Sequence, residues 1–105
     1  MISVCMATYN GEHYIKEQIY SILSELGRGD ELVVVDDCSN DGTADVIGEI
    51  RDERVFFFQN DVNLGYIRNF EKAIALSRGE VILLSDQDDL WPKGRVDTIL
   101  RALED

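Results

Sequence analysis

Short apolar runs alternate with helical apolar stripes along the whole chain, and this alternation predicts its elements. Runs rich in Val, Ile, Leu or Phe are typical of strands that are buried on both faces of a sheet. Four segments have this character: Ile2–Ala7, Glu31–Asp36, Val55–Gln59 and Val81–Ser85. The pattern therefore predicts four strands.

Each of these strands is followed by apolar residues at helical spacing, which predicts four helices. Asn10 is the predicted cap of the first helix, and Gly27 and Gly29 are the residues that can end it. Thr43 is the predicted N-cap of the second helix, the third begins near Leu64, and the fourth begins at Pro92, a residue suited to a first helical turn. The predicted order is βαβαβαβα.

Strands joined by crossover helices run parallel, so the predicted fold is α/β, with an open, mostly parallel sheet and flanking helices. Ligands of such sheets bind outside the carboxyl ends of the strands, where the strand order reverses. Polar clusters follow three of the four strands, at residues 8–12, 36–43 and 85–89. We expect these clusters to meet at one crevice, where a helix N-terminus offers N–H groups to an anion.

The tetrad Asp86-Gln87-Asp88-Asp89 directly follows an apolar strand. Like charges this close repel one another and stay ionised together only beside a cation or strong hydrogen-bond donors. Oxygen ligands of this kind suit Mg²⁺ or Mn²⁺, and such ions usually bridge to substrate phosphates. The sequence therefore predicts a metal site with Asp88 as the first ligand and Asp86 as the second, near a bound nucleotide. Asp89 alternatively caps the fourth helix.

The other clusters have a functional and a structural interpretation. Asp37 follows the second strand and is predicted to accept hydrogen bonds from a ribose hydroxyl or a base N–H, whereas Asp36 is predicted to steady the loop. The segment 8–10 serves either as a turn and cap or as a nucleotide contact. Arg68 and Asn69 belong either to the surface or to the donor site.

Composition narrows the classes of function. The chain has 105 residues, of which 45% are hydrophobic, so one domain is expected. Its 21 acidic and 10 basic residues, a formal charge of -11, argue against nucleic acid and anionic membranes as partners. No apolar stretch approaches the ~20 residues of a spanning helix, and a cytoplasmic location is expected. Cys5 and Cys38 fit no disulfide framework and are predicted to be free thiols.

Four motifs resemble glycosyltransferase family 2, whose members have the GT-A fold. They are Met6–Gly11, Val33–Thr43, Asn63–Gly65 with Arg68–Asn69, and Leu84–Trp91, in the order and spacing of the family. The residue sequences of the first and last motifs are similar to those of the rhamnosyltransferase-like branch, which builds bacterial cell-surface polysaccharides. The resemblance covers the whole chain and implies that residues 1–105 form a domain that binds a nucleotide-diphosphate sugar, UDP- or dTDP-linked.

The resemblance also implies roles for individual residues. Mn²⁺ or Mg²⁺ is expected on Asp88 and Asp86, where it neutralises charge on the leaving diphosphate. The implied donor-binding residues are Ala7, Thr8, Tyr9, Asn10, Glu12, Asp37, Arg68, Asn69, Asp86 and Gln87.

Family members continue for a hundred or more residues past the acidic motif, and the resemblance places the saccharide acceptor site and the catalytic base beyond Asp105. We therefore expect this chain to be the donor-binding part, with no catalytic residue of its own and incompetent for transfer by itself. Without the later part of the family's fold, a sheet edge and apolar surface are expected to be exposed, and this exposure is expected to promote self-association. The full-length protein is expected in the cytoplasm, with the inner face of the membrane as an alternative.

Two interpretations from other classes stay open on the sequence. A receiver-like phosphoacceptor domain is also a small βα repeat that binds Mg²⁺, although its acidic pair normally follows the first strand, and here it follows the second. A non-catalytic nucleotide-binding or interaction domain would have the same crevice and no chemistry.

Overall fold

The computed structural model describes residues 1–86 and 90–104, except for the side chains of Asp86 and Glu104. Strands and helices alternate in the predicted order, as β1 (Ile2–Thr8), α1 (Ile15–Leu23), β2 (Glu31–Asp36), α2 (Thr43–Gly48), β3 (Val55–Gln59), α3 (Tyr66–Leu76), β4 (Val81–Asp86) and α4 (Arg95–Glu104). None of the helices in these ranges combines the length and apolar character that a membrane span requires.

The four strands form one parallel sheet in the order β3-β2-β1-β4. The chain moves outward from β1 through β2 to β3 and then returns to the other side of β1. The strand order therefore reverses between β1 and β4, which is where a ligand crevice is expected. A receiver-like sheet has the order 2-1-3 instead, so the observed order disagrees with the receiver-like alternative.

The larger apolar core lies on the sheet face that α1, α2 and α4 cover. Alternate residues of β1 and β2 point into it, because successive side chains of a strand face opposite sides. Its buried members are Val4, Met6, Ile15, Ile19, Ile22, Leu23, Leu26, Leu32, Val34, Ile47, Trp91 and Val96. This face accounts for most of the buried apolar side chains among the residues described.

The opposite face is covered by α3 alone. A helix is about 10 Å wide and strands lie about 4.8 Å apart, so one helix covers two strands. Here it covers β1 and β2, where Cys5, Val33 and Val35 form a small core with Ala73. The outer strands keep exposed apolar side chains on this face: Phe56 (38%), Phe58 (37%), Ile82 (40%) and Leu84 (51%).

Two predicted helix starts in the first half of the chain are wrong. Helix α1 begins at Ile15, so Asn10 does not cap it, and Asn10 instead has a positive φ of 49° and joins two loops. Thr43 is the first residue of α2 and not its N-cap. The Asp41 carboxylate accepts the Thr43 N–H at 3.0 Å, which satisfies a free donor of the first turn.

The later two helices also begin after the predicted residues. Helix α3 begins at Tyr66 because Gly65, with φ 89°, turns the chain just before it. Helix α4 begins at Arg95, three positions after Pro92, and Gly94 has φ 86°. Positive φ is permitted to glycine at no steric cost, so the glycine and not the proline marks the turn into α4.

Both cysteines are free thiols, as the sequence predicts. Cys5 is fully buried in the small core under α3. Burial is the main reason that the pKa of Cys5 is raised to about 11. A thiol with a raised pKa is a poor nucleophile, so Cys5 is a packing residue.

A buried carboxylate ties the amino ends of three strands together. Glu31 of β2 accepts hydrogen bonds from the Ser3 hydroxyl at 2.6 Å and from the Arg78 backbone N–H at 2.7 Å. The Gly79 N–H donates to Ser3 Oγ at 2.7 Å, which links the start of β4 to β1. Burial raises the pKa of Glu31, but the hydrogen bonds from Ser3 and Arg78 outweigh burial and hold it below its usual value.

Replacement of Glu31 by Gln is expected to destabilise the fold in a pH-dependent way. A lowered pKa in the folded state contributes stability above the unfolded-state pKa, about 4.3, and this contribution is lost as pH falls through the folded value. We expect Glu31→Gln to lower the free energy of unfolding by about 2 kcal/mol at neutral pH, since hydrogen bonds to a charged group are lost. Urea unfolding at pH 7 and near pH 3.5 measures the difference.

Glu49→Gln is the matched control, because Glu49 is exposed. This substitution is expected to change the unfolding free energy little at either pH. A Glu31→Gln deficit of equal size at both pH values would contradict the linkage.

Candidate functional site

The carboxyl ends of β1 and β4 lie side by side at the point where the strand order reverses. Ala7 pairs with Asp86 in the parallel register, so the last residue of β4 is the direct neighbour of the end of β1. The acidic tetrad thus leaves the sheet at the expected crevice. Gln87, Asp88 and Asp89 lie outside the described residues, as does the Asp86 side chain.

A divalent cation fits the donor set of this segment. Carboxylate oxygens are ligands that Mg²⁺ and Mn²⁺ prefer, and the Asp86 backbone places their strand at the ligand edge of the sheet. The described residues form no cluster of His, Cys, Asp or Glu side chains suited to a metal. The predicted metal ligands Asp88 and Asp86 therefore stay a prediction.

The resemblance leads us to expect the catalytic base beyond Asp105, and residues 1–86 and 90–104 do not test that expectation. Asp105 itself also lies outside the described residues. The expectation that the base comes from later polypeptide is thus untouched by the geometry and stays a prediction.

Asp36 ends β2 with a buried carboxylate that holds its neighbouring loops. Its Oδ1 accepts hydrogen bonds from Thr8 Oγ1 at 2.7 Å and from Ser39 Oγ at 2.6 Å. Its Oδ2 accepts the Ser39 backbone N–H at 3.0 Å and Gln59 Nε2 at 3.4 Å. These contacts confirm that Asp36 steadies the loop, and they commit Thr8, which is 1% exposed, to the same role.

The loop after β1 is tied to the loop after β2. Asn10 accepts the Asn40 N–H through Oδ1 at 2.8 Å and donates its own N–H to Ser39 Oγ at 2.9 Å. Two further contacts repeat the pattern, since Gly11 N–H donates to Thr43 Oγ1 at 2.8 Å and Glu12 Oε2 accepts the Gly42 N–H at 3.1 Å. The predicted donor-binding residues Asn10 and Glu12 thus join the two loops.

Tyr9 differs from its neighbours because its ring is exposed. Its side chain is 42% accessible at the end of β1, whereas Ala7 is 8% accessible. The exposed ring thus lies directly after β1, where the sequence predicts a nucleotide contact.

Asp37 is buried, and its carboxylate holds the loop that leads into α3. Leu64 N–H and Asn60 Nδ2 donate to Oδ1 at 2.7 and 3.0 Å, and Gly65 N–H donates to Oδ2 at 2.9 Å. Burial raises the pKa of Asp37, but these three hydrogen bonds outweigh burial and lower it. Asp37 is therefore an ionised acceptor with a fixed orientation.

A carboxylate offers about four acceptor positions, and the protein fills three of those of Asp37. Two donors fill both acceptor positions on Oδ1, and one donor fills a position on Oδ2. The second position on Oδ2 is therefore the one that the protein leaves for a ligand. Asp37 can thus accept one further hydrogen bond, the interaction that the sequence predicts for a ribose hydroxyl or a base N–H.

Asn69 does not face the crevice. It is 1% exposed, its Nδ2 donates to the Val35 carbonyl at 2.7 Å, and its Oδ1 accepts Asn60 Nδ2 at 2.7 Å. Its contacts anchor α3 to β2 and support Asp37 through Asn60. Arg68, one position earlier, is exposed, so its guanidinium is accessible to an anionic or aromatic partner.

Sequence reasoning missed Asn60 and Lys72. Asn60 is 5% exposed and contacts Asp37, Asn69 and Lys72, whose Nζ donates to Asn60 Oδ1 at 2.7 Å. A signal for Asn60 is present in the sequence, because it directly follows β3 as the predicted site residues follow the other three strands. Nothing in the spacing of α3 distinguishes Lys72 from a surface lysine.

A second network of buried hydrogen bonds joins the residues that flank the acidic segment. Ser85 Oγ accepts Gln18 Nε2 at 3.0 Å and Trp91 Nε1 at 3.2 Å, and the Trp91 N–H donates to Ser21 Oγ at 3.1 Å. Trp91 is 5% exposed and packs in the larger core. The residues on either side of the segment are thus joined to each other and to α1.

Comparison with known proteins identifies the family to which these features correspond. The sequence model of glycosyl transferase family 2 matches residues 3–105. A putative teichuronic acid biosynthesis glycosyltransferase, TuaG of Bacillus subtilis, is 31% identical over 105 residues, which cover 98% of this chain and 42% of that protein. A UDP-Glc:alpha-D-GlcNAc-diphosphoundecaprenol beta-1,3-glucosyltransferase of Escherichia coli, WfaP, is 28% identical over 99% of this chain and 41% of its own length.

Solved structures agree with this family and fold. S. aureus TarS 1-349 in complex with UDP-GlcNAc has a TM-score of 0.88 and 30% identity, covering 98% of this chain and 31% of that one. The mannosyltransferase PcManGT of Pyrobaculum calidifontis, in complex with GDP-Man and Mn²⁺, has a TM-score of 0.90 and 26% identity, covering 99% and 32%. The chain therefore spans less than half the length of these proteins.

Asp36→Asn tests whether this carboxylate holds the loops of the site. The substitution keeps the size of the side chain but turns one acceptor oxygen into an NH₂ group, which faces either the Thr8 and Ser39 hydroxyls at the Oδ1 position or the Ser39 N–H and the Gln59 amide at the Oδ2 position. We expect the free energy of unfolding to fall by about 2 kcal/mol, because buried donors lose their partner. Urea unfolding of this variant and of Asp45→Asn, an exposed control in α2, measures the effect. Equal stability of the two variants would show that Asp36 does not hold the loops.

Proposed function

This chain belongs to glycosyl transferase family 2, and we propose that it is the donor-binding part of an enzyme that transfers a sugar from a UDP- or dTDP-linked donor to a saccharide acceptor of a bacterial surface polysaccharide. The observation that supports this proposal is the register between Ala7 and Asp86, because the last residue of β4, which precedes the acidic segment in sequence, lies beside the end of β1. The names of relatives in teichuronic acid and undecaprenol-linked glycan synthesis support the acceptor class.

In this proposal the nucleoside lies on the β1 and β2 side of the crevice. The open acceptor position of Asp37 receives a ribose hydroxyl or a base N–H, and the exposed Tyr9 ring lies at the same edge. Ala7 and Thr8 form the floor at the end of β1, and Arg68 is the exposed cation one turn into α3.

The diphosphate lies on the β4 side. Asp88, with Asp86 and Gln87, is proposed to hold Mn²⁺ or Mg²⁺, and the ion supplies charge neutralisation for the leaving nucleotide. The structure of PcManGT with GDP-Man and Mn²⁺ supports this metal dependence. A chain with a net charge of -11 needs such a cation to accept a diphosphate.

Transfer also needs a base that deprotonates the acceptor hydroxyl within hydrogen-bond reach. Asp36 accepts four hydrogen bonds from the protein's own donors, and the one unfilled acceptor position of Asp37 is assigned to the nucleoside in this proposal. We therefore propose that the base and the acceptor site come from polypeptide beyond Asp105, the part by which longer relatives exceed the matched region.

Calorimetric titration of UDP, dTDP and GDP, each with and without Mn²⁺, tests the donor site. We expect UDP or dTDP to bind in a metal-dependent way, and Asp88→Asn to weaken that binding at least tenfold, equivalent to about 1.4 kcal/mol. Asp97→Asn, an exposed carboxylate in α4, is the control of equal charge change. Trp91 is the only tryptophan, so its fluorescence reports the same titration.

Metal-independent binding that Asp88→Asn leaves unchanged would contradict the metal site. Preference for GDP would contradict the proposed uracil or thymine nucleobase of the donor. Binding of none of the nucleotides would contradict the donor-binding role.

We further propose that this chain self-associates through the α3 side of β4. A groove of about 340 Å³ lies there between α3 and the end of β4, lined by Tyr66, Ile67, Phe70, Glu71, Ile74, Leu84 and Ser85. Leu84 is 51% exposed and Ile82 is 40% exposed on a strand that pairs on one side only within the described sheet. Exposed apolar strand edges favour pairing with another chain.

Sedimentation velocity over a range of concentrations tests this association. We expect the wild-type chain to form a concentration-dependent dimer and Leu84→Glu to remain monomeric, because a charge would be buried in the contact. Val62→Glu is the control, since Val62 is also exposed but lies in the loop before α3. A monomeric wild-type chain at high concentration would contradict the proposal.

A further inference from the structure

We infer that Lys72 is a positioning residue, which acts through Asn60 to fix the Asp37 carboxylate for its contact with the nucleoside. The inference rests on the proposed function, in which Asp37 accepts a hydrogen bond from the donor. It assigns a role to two residues that do not themselves touch the donor. The contacts Lys72–Asn60 at 2.7 Å and Asn60–Asp37 at 3.0 Å connect them in series.

Lys72 decides which way the Asn60 amide faces. An ammonium group only donates hydrogen bonds, so Asn60 Oδ1 must face Lys72 Nζ and the NH₂ group must face the other side. There it donates to Asp37 Oδ1 at 3.0 Å and to Asn69 Oδ1 at 2.7 Å. The reversed amide would place oxygen against the Asp37 carboxylate and NH₂ against the ammonium, and both contacts are repulsive.

The amide orientation in turn decides which oxygen of Asp37 is open. With Asn60 and Leu64 both donating to Oδ1, the ligand position lies on Oδ2 beside Gly65. Without the Asn60 donor, Oδ1 also has an open position, and the carboxylate is held only by the two backbone N–H groups of the loop. A ligand could then bind to either oxygen of Asp37, and the orientation of the carboxylate would be less restricted.

Packing alone does not account for this use of Lys72. Its side chain is half-buried on α3, and none of the salt bridges among residues 1–86 and 90–104 includes it. Its charge is directed at a neutral amide, which lies between the ammonium and Asp37. A positive end aligned in this way strengthens the amide as a donor, because hydrogen bonds in a chain polarise one another.

The test compares Lys72→Met with Lys16→Met. Both remove one positive charge and keep an unbranched stem, but Lys16 is an exposed residue of α1. Two quantities are measured, namely the titration of the Asp37 carboxyl by ¹³C NMR without ligand, and the affinity for UDP in the presence of Mn²⁺. The other ionisable groups next to Asp37 in the chain, Asp36 and Cys38, are unchanged in both variants.

We expect Lys72→Met to raise the pKa of Asp37 and to weaken UDP binding about fivefold to tenfold, the size expected from the net contribution of one hydrogen bond. Lys16→Met should leave both quantities at the wild-type values, and Lys72→Arg, which keeps a cationic donor, should recover most of the loss. Lys72→Gln separates the donor from the charge, and partial recovery by Gln supports the hydrogen bond.

Equal Asp37 titration and equal UDP affinity in Lys72→Met and Lys16→Met would overturn the inference, as would loss of affinity with an unchanged titration. Failure of the wild-type chain to bind any nucleotide is a different result. It would overturn the proposed function, while the carboxyl titration would still decide whether Lys72 acts on Asp37.

Discussion

The candidate site depends on two adjacent carboxylates at the end of β2, which bind different parts of the chain. Asp36 receives donors from the end of β1, from its own loop and from the end of β3. Asp37 receives donors from the loop that leads into α3. Buried carboxylate oxygens are costly unless hydrogen-bond donors satisfy them. The loops around the crevice are therefore held together by the hydrogen bonds that these two side chains need.

The sheet supplies the place, and the loops supply the chemistry. The parallel order β3-β2-β1-β4 brings the carboxyl end of β4 beside the carboxyl end of β1. Membership of glycosyl transferase family 2 agrees with this arrangement. The matched region forms less than half of the relatives TuaG and WfaP.

Much of the fold could be predicted from the sequence, because apolar periodicity records burial. All four strands and four helices were predictable, with small errors at the helix starts, where Gly65 and Gly94 rather than an Asn or Pro cap set the boundary. The convergence of strand ends was also predictable. The contacts of individual polar side chains could not be predicted. Asn69 and Asn60 have the polarity of surface residues, and they become buried only when α3 packs on β2.

The hydrogen bonds that join Ser3 to Glu31 and to Gly79, at the amino ends of the strands, differ in the length of chain that they close. The Gly79–Ser3 contact joins residues 76 positions apart, whereas the Ser3–Glu31 contact spans 28. Closing the longer loop has the larger entropy cost, and contacts between distant residues slow folding. In loop entropy, the β1–β2 pair therefore costs less to form than the pairing of β4 with β1. Because the crevice lies between β1 and β4, the ligand edge is complete only when this more distant pairing has formed.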